Sequence, residues 1–202
     1  MKKLLFISIM TMLVFVGCRS TQPLQNNFFL LELPPVALYE TAERVKTIDG
    51  TFEVQRVEVA PAYASHQIAV REDTHRIRYF SFNEWAHRPA LSLTNMTFSF
   101  LEEGRFFREI VTGRLHGTPD FVLKTMVRHM EVDHQSDVFE ARLVVEFRLL
   151  NAETEEIILH HRADRNRLLD ENSLNLFAAA VSELFAEELH AFVDLVYEKL
   201  DN

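Results

Sequence analysis

From Phe139 to Leu149 the chain alternates, with Phe139, Ala141, Leu143, Val145, Phe147 and Leu149 on one side and Glu140, Arg142, Val144, Glu146 and Arg148 on the other. Successive side chains of an extended backbone point to opposite faces, so this segment is predicted as a strand with one buried and one mostly wet face. A one-sided strand needs a cover, and two segments with helical periodicity supply it. Ser173–Leu200 places Leu174, Phe177, Val181, Leu184, Phe185, Phe192, Leu195 and Val196 on one stripe, with Glu183, Glu187, His190 and Asp194 opposite. Glu188 falls inside the apolar stripe, either as a buried ion pair with an arginine of the sheet or as a side chain snorkelling from a tilted helix. Asn83–Glu103 is the other predicted helix, with Pro89 near its first turn and Gly104 just past its end. Its stripe of Ala90, Leu93, Met96, Thr97, Phe100 and Leu101 is widened by Leu91 and Phe98 to an apolar arc of about 220° at ~100° per residue. An arc that broad fits either a deep core position or a partner interface.

The remaining strands are shorter. Phe28–Leu33 is apolar and stopped by Pro34-Pro35; Phe52, Val54, Val57 and Val59 mark a strand whose phase slips once before Pro61. Ile68–Arg71 and His75–Phe80 read as a hairpin around Glu72-Asp73-Thr74. Val36–Gly50 reads as loop closing on an Asp49-Gly50 turn, and Arg105–Val111 as a strand before a turn at Gly113–Gly117. In Phe121–Asp133 the apolar phase shifts between Val127 and Met130, the mark of a bulge. Glu155–Arg162 is the hairpin partner of the alternating strand across Asn151–Thr154. Four strands, a helix, four strands and a helix without internal repeat predict an α+β fold: a single domain with a mixed or antiparallel sheet packed with two long amphipathic helices. A chain of 202 residues is thin for two domains.

The amino terminus is different in kind. Lys2 and Lys3 precede an apolar run from Leu4 to Val16 and then Gly17-Cys18, the order of an export signal. As a helix the run spans roughly 20 Å, short of a ~30 Å hydrocarbon core. Phe15-Val16-Gly17-Cys18 resembles a bacterial lipobox, which implies cleavage after residue 17 and acylation of Cys18 on sulfur and nitrogen, palmitate being a usual acyl chain. Cys18 is the only cysteine, and an exported chain with a single free thiol is a chemical liability unless that sulfur is consumed. Arg19, not Asp, follows the cysteine, a pattern similar to that of lipoproteins sent on to the outer membrane, facing the periplasm. Residues 1–17 are thus expected as signal peptide and 18–27 as a polar tether of at most about 30 Å. The folded domain is expected over 28–202.

Charge narrows the partners. With 21 Lys plus Arg against 30 Asp plus Glu the chain carries −9, and losing Lys2 and Lys3 makes that −11. Nucleic acid is excluded as a general partner because phosphate neutralisation needs a basic face. Five glycines include no phosphate-binding loop. No nucleophile elbow or metal-ligand spacing occurs, and no cofactor is expected; His129, His134, His160 and His161 meet only if the late strands pair in the right register. A hydrolase built on those histidines is therefore the weakest functional reading.

One stretch carries a resemblance. Ala60-Pro61-Ala62-Tyr63, Ile68-Ala69-Val70-Arg71, Ile77-Arg78-Tyr79, Trp85-Ala86-His87-Arg88-Pro89 and Gly104-Arg105-Phe106-Phe107 follow one another in the order found in the ABC-type transport auxiliary lipoproteins, the PqiC-like family. Phe28-Phe29-Leu30-Leu31 with Pro34-Pro35 is similar to that family's first strand. The resemblance implies an adaptor, not an enzyme, serving an MCE-type lipid (phospholipid) transport system. Its partners would be an MCE-domain periplasmic protein and its ABC permease complex, with a homo-oligomeric ring as a further expectation. The competing reading is a lipoprotein that regulates cell-wall synthesis or scaffolds a secretion complex. Trp85, Arg71 and Tyr79 are candidate interaction residues or, equally, residues that lock helix to sheet; Leu91 and Phe98 are candidates because they widen the helical arc.

Overall fold

The computed structural model describes residues 25–35, 47–113, 117–134 and 138–200. The export signal, Cys18, most of the tether, most of the Val36–Gly50 loop and part of the Gly113–Gly117 turn lie outside the described residues. Nine strands and two long helices follow in the order β1 (Asn27–Phe29), β2 (Ile48–Val54), β3 (Glu58–Val59), β4 (Gln67–Asp73), β5 (Arg76–Trp85), α1 (Pro89–Glu103), β6 (Phe107–Val111), β7 (Phe121–Asp133), β8 (Glu140–Asn151), β9 (Ile157–Leu168) and α2 (Leu174–Leu200). One 3-10 turn, Pro61–Tyr63, separates β3 from β4. The fold is a mixed, curled sheet with two helices in a single α+β domain, as expected.

The organising element is β7. Along one edge it pairs antiparallel with β8 over its whole length, and β8 pairs antiparallel with β9. Along its other edge it takes three short strands in succession, all parallel: β2 at Phe121–Leu123, β3 at Met126–Val127 and β4 at Glu131–Asp133. The sheet divides there, β2 leading to β6 and β4 leading through β5 to β1. The register slips between Val127 and His129, where the phase of the sequence also breaks.

α2 packs on β8 and β9, and α1 on β6, β2 and β3. Phe147 on β8 lies 5.7 Å from Phe185 and 5.3 Å from Phe192 of α2 (ring centroids). Phe100 of α1 stands 5.3 Å from Phe106 and 6.2 Å from the His190 ring of α2, so the two helices close one core. The predicted stripes are the buried ones, Leu93, Met96, Thr97, Phe100 and Leu101 on α1 and Phe177 through Val196 on α2.

Three expectations are corrected. Asn83-Glu84-Trp85 are strand, not helix: they pair in parallel with Asn27–Phe29, and the restriction that Pro89 puts on Arg88 holds the helix start at Pro89. Asp49-Gly50 is not a turn but a bulge inside β2, where the register shifts between Ile48 and Thr51 and Gly50 adopts φ +120°. The short apolar run Phe28–Leu33, which suits a buried strand, forms only a three-residue edge strand, Asn27–Phe29. Phe28 and Leu30 are exposed, and Leu31 enters the core.

Candidate functional site

Tyr63, Arg71 and Tyr79, three of the residues that carried the resemblance, converge at the Pro61–Tyr63 turn. Glu131 of β7 is fully buried and takes three donors: Arg71 Nε at 2.8 Å on Oε1, Arg71 Nη2 at 3.0 Å on Oε2 and the Tyr63 hydroxyl at 2.6 Å on Oε2. Arg71 Nη2 also reaches the Tyr63 oxygen at 3.1 Å and Nη1 the Thr74 carbonyl at 3.2 Å. His129 Nδ1 lies 3.1 Å from the same phenol oxygen. The phenol has one proton and directs it at Glu131, so His129 Nδ1 is the donor in that contact. Burial first, then the Glu131 carboxylate, pushes the Tyr63 phenol far above its usual 10, and the Glu131 hydrogen bond likewise raises Arg71. The Tyr79 hydroxyl donates to the Ala62 carbonyl at 3.0 Å, closing the turn from β5.

Trp85 is about 1% exposed, with its ring 5.8 Å from Phe177 of α2. Its backbone N–H donates to the His66 carbonyl at 2.7 Å, and His66 Nδ1 sits 2.9 Å from the Trp85 carbonyl. Arg71, Tyr79 and Trp85 thus each make internal contacts, Arg71 and Tyr79 to the Pro61–Tyr63 turn and Trp85 to Phe177 of α2. Leu91 and Phe98 differ. Leu91 is 47% exposed beside a groove with Val57, Pro61, Met126 and Gly113, whereas Phe98 is half-buried. The broad arc of α1 thus has its extension at Leu91 facing outward.

Glu188 is a buried ion pair, the first of the two alternatives: it meets Arg165 and, at 2.9 Å, His161 Nε2, both from β9. Arg167 pairs with Glu183 and Glu187 beside it, so β9 and α2 are stitched by charge along their exposed rim. The four histidines singled out in the sequence do not meet. His129 joins Tyr63, His134 stacks on Phe139 at 4.1 Å, His160 lies 3.8 Å from Glu146, and His161 points through the opposite face of β9. No group of three or more His, Cys, Asp or Glu able to hold a metal occurs among the described residues. No helix among them is long and apolar enough to cross a membrane.

A second buried carboxylate escaped sequence reasoning. Glu146 lies on the face of β8 expected to be mostly wet, yet it is 3% exposed because arginine side chains cover it. Arg128 grips it with Nε at 2.5 Å and Nη2 at 3.1 Å, Arg148 Nη2 donates at 3.0 Å, and Arg162 Nε stands at 3.8 Å. The Arg128 hydrogen bonds hold the carboxyl below its usual range against the opposing effect of burial, with the charges of Arg128, Arg148 and Arg162 adding to the depression. Arg148 shares the strand and face of Glu146, but only cross-strand register brings Arg128 and Arg162 to it.

The model of the ABC-type transport auxiliary lipoprotein component matches residues 29–191, from β1 through most of α2. The chain belongs to this family. The auxiliary lipoprotein shares its fold with a crystal structure of a Xanthomonas campestris protein of the DUF330 family, at 16% identity and a TM-score of 0.71, covering 83% of this chain and 92% of that one. A second crystal structure, of an uncharacterized protein, superposes at 12% identity and a TM-score of 0.64, covering 85% and 99%. No match is found among curated proteins. As an auxiliary lipoprotein the chain falls in a transport family and not in a known enzyme family.

Proposed function

We propose that this auxiliary lipoprotein is anchored through acylated Cys18 in the outer membrane, with its folded domain in the periplasm, and that it serves as a non-catalytic adaptor in an MCE-type lipid transport system. In this reading its partners are an MCE-domain protein and the ABC permease complex behind it, and copies of the chain assemble as a ring. The observation that carries the reading is the family match over residues 29–191, which begins eleven residues beyond Cys18. It is supported by the absorption of conspicuous polar residues into the fold: Arg71 and Tyr63 both donate to Glu131, and Glu188 pairs with Arg165 and His161.

The test has two arms. Cells fed a labelled fatty acid should mark the full chain, and Cys18→Ser should abolish the label and release the protein from the outer-membrane fraction. Crosslinking in intact envelopes should recover an MCE-domain protein with the wild-type chain. An unlabelled chain refutes the anchor, and recovery of a wall synthase or secretin in place of transport components refutes the adaptor.

A further inference from the structure

The outer face of β7, β8 and β9 is the side turned away from α2, because Phe147, next to Glu146 and Arg148, points into α2. Cross-strand register writes two rows there: Lys124, Arg148 and His160, then Met126, Glu146 and Arg162. Arg128 reaches into the second row from the bulge. Three permanent cations, Arg128, Arg148 and Arg162, thus gather round one carboxylate, with Lys124 beside them, in a chain whose net charge is −9. Lys124 stands directly opposite Arg148, a pairing of like charges that weakens a sheet. Glu146 engages the fork of Arg128 and one nitrogen of Arg148, and Arg162 stays beyond hydrogen-bond range of it. Most donors of Arg148 and Arg162 remain directed at solvent, and both side chains are well exposed.

We propose that this basic sheet face is the docking surface for a carboxylate-rich surface of another protein, the partner of the adaptor; the inference rests on the function proposed above. Charge complementarity selects an acidic partner, and arginine beside apolar Met126 and the exposed Ile157 has the mixture typical of binding hot spots. Charge also selects a protein over the anchoring membrane: a chain of net charge −9, with Glu153, Glu155 and Glu156 beside the patch, is repelled by anionic headgroups. Glu153, Glu155 and Glu156 at the β8–β9 turn bound the patch with negative charge and orient whatever docks.

The test places p-benzoylphenylalanine at position 160 of the full chain in the cells that make it, with position 103 on α1 as the control site. Illumination should link position 160 to an acidic segment of a protein of different sequence, identified by mass spectrometry. Lys124→Glu with Arg162→Glu, which leaves Arg128 and Arg148 on Glu146, should cut that adduct at least ten-fold at equal membrane levels. Reversing the mapped carboxylates to lysine should restore at least half of it. Trp85 fluorescence and a thermal melt establish that the variant is folded; if it is not, Lys124→Gln with Arg162→Gln carries the same comparison. Adducts to lipid alone, to a second copy of this chain or to nothing, or an adduct indifferent to the charge reversals, overturn the proposal. A partner outside lipid transport that obeys the charge swap would sink the function proposed above and leave this surface standing. An MCE-domain protein captured from position 103 but not from 160 would do the reverse.

Discussion

Replacing Arg71 by leucine should be among the most damaging single changes outside the apolar core. The substitution removes two donors from Glu131, one from the Tyr63 oxygen and one from the Thr74 carbonyl. It leaves a fully buried carboxylate with the Tyr63 hydroxyl as its one close donor. Breaking a buried ion pair from one side costs about 3–5 kcal/mol. The Arg71 side chain is 13% exposed, so water can approach its end of the pair and the lower figure applies. For a domain of this size, about 3 kcal/mol lowers the melting temperature by about 6–12 °C. Removing both charges in Arg71→Leu/Glu131→Leu should cost less than the sum of the single changes, because no orphan charge remains and the Tyr63 hydroxyl keeps His129 as a partner. The assay is urea unfolding followed by the emission of Trp85, the only tryptophan and a buried one. A loss below about 1 kcal/mol for Arg71→Leu, or strict additivity in the double variant, would refute the claim that this cluster is a coupled, buried unit.

Three further outcomes follow from the same geometry. The Tyr63 phenol has its folded pKa raised above 10, so it contributes nothing to pH dependence below that value and destabilises the fold as pH climbs past it; Tyr63→Phe should flatten the fall in stability above pH 10, read from urea midpoints. Glu146 has its folded pKa lowered from 4.5, so its contribution is present above that value and lost as pH falls through the folded one; Glu146→Gln should be less stable than wild type at pH 7, with the gap narrowing in urea titrations as pH falls below 4.5. A Cβ at Gly104 would stand 2.1 Å from the buried Phe106 ring, so Gly104→Ala should lower stability by about 1–3 kcal/mol and disturb near-ultraviolet circular dichroism.

Periodicity alone determined a good deal about this auxiliary lipoprotein. The alternating face of β8, the stripe of α2, the bulge after Val127 and the intruding Glu188 were all legible, because each expresses the local geometry of a strand or a helix. Where local signals ran out, so did the reading. Asn83–Trp85 looked helical by position and became strand because β1, more than fifty residues away in sequence, pairs with it. Arg71, Tyr79 and Trp85 stood out as unusual residues, but their roles depended on what lay across from them. Glu146 reads in the sequence only as one residue of a wet face, and Glu131 carries no local mark at all. Tertiary structure alone decided that β2, β3 and β4 share one edge of β7, and with it which acids are buried and which bases cover them. The physical reason is that a strand's own residues set which face each side chain takes, whereas the charges it meets belong to neighbouring strands.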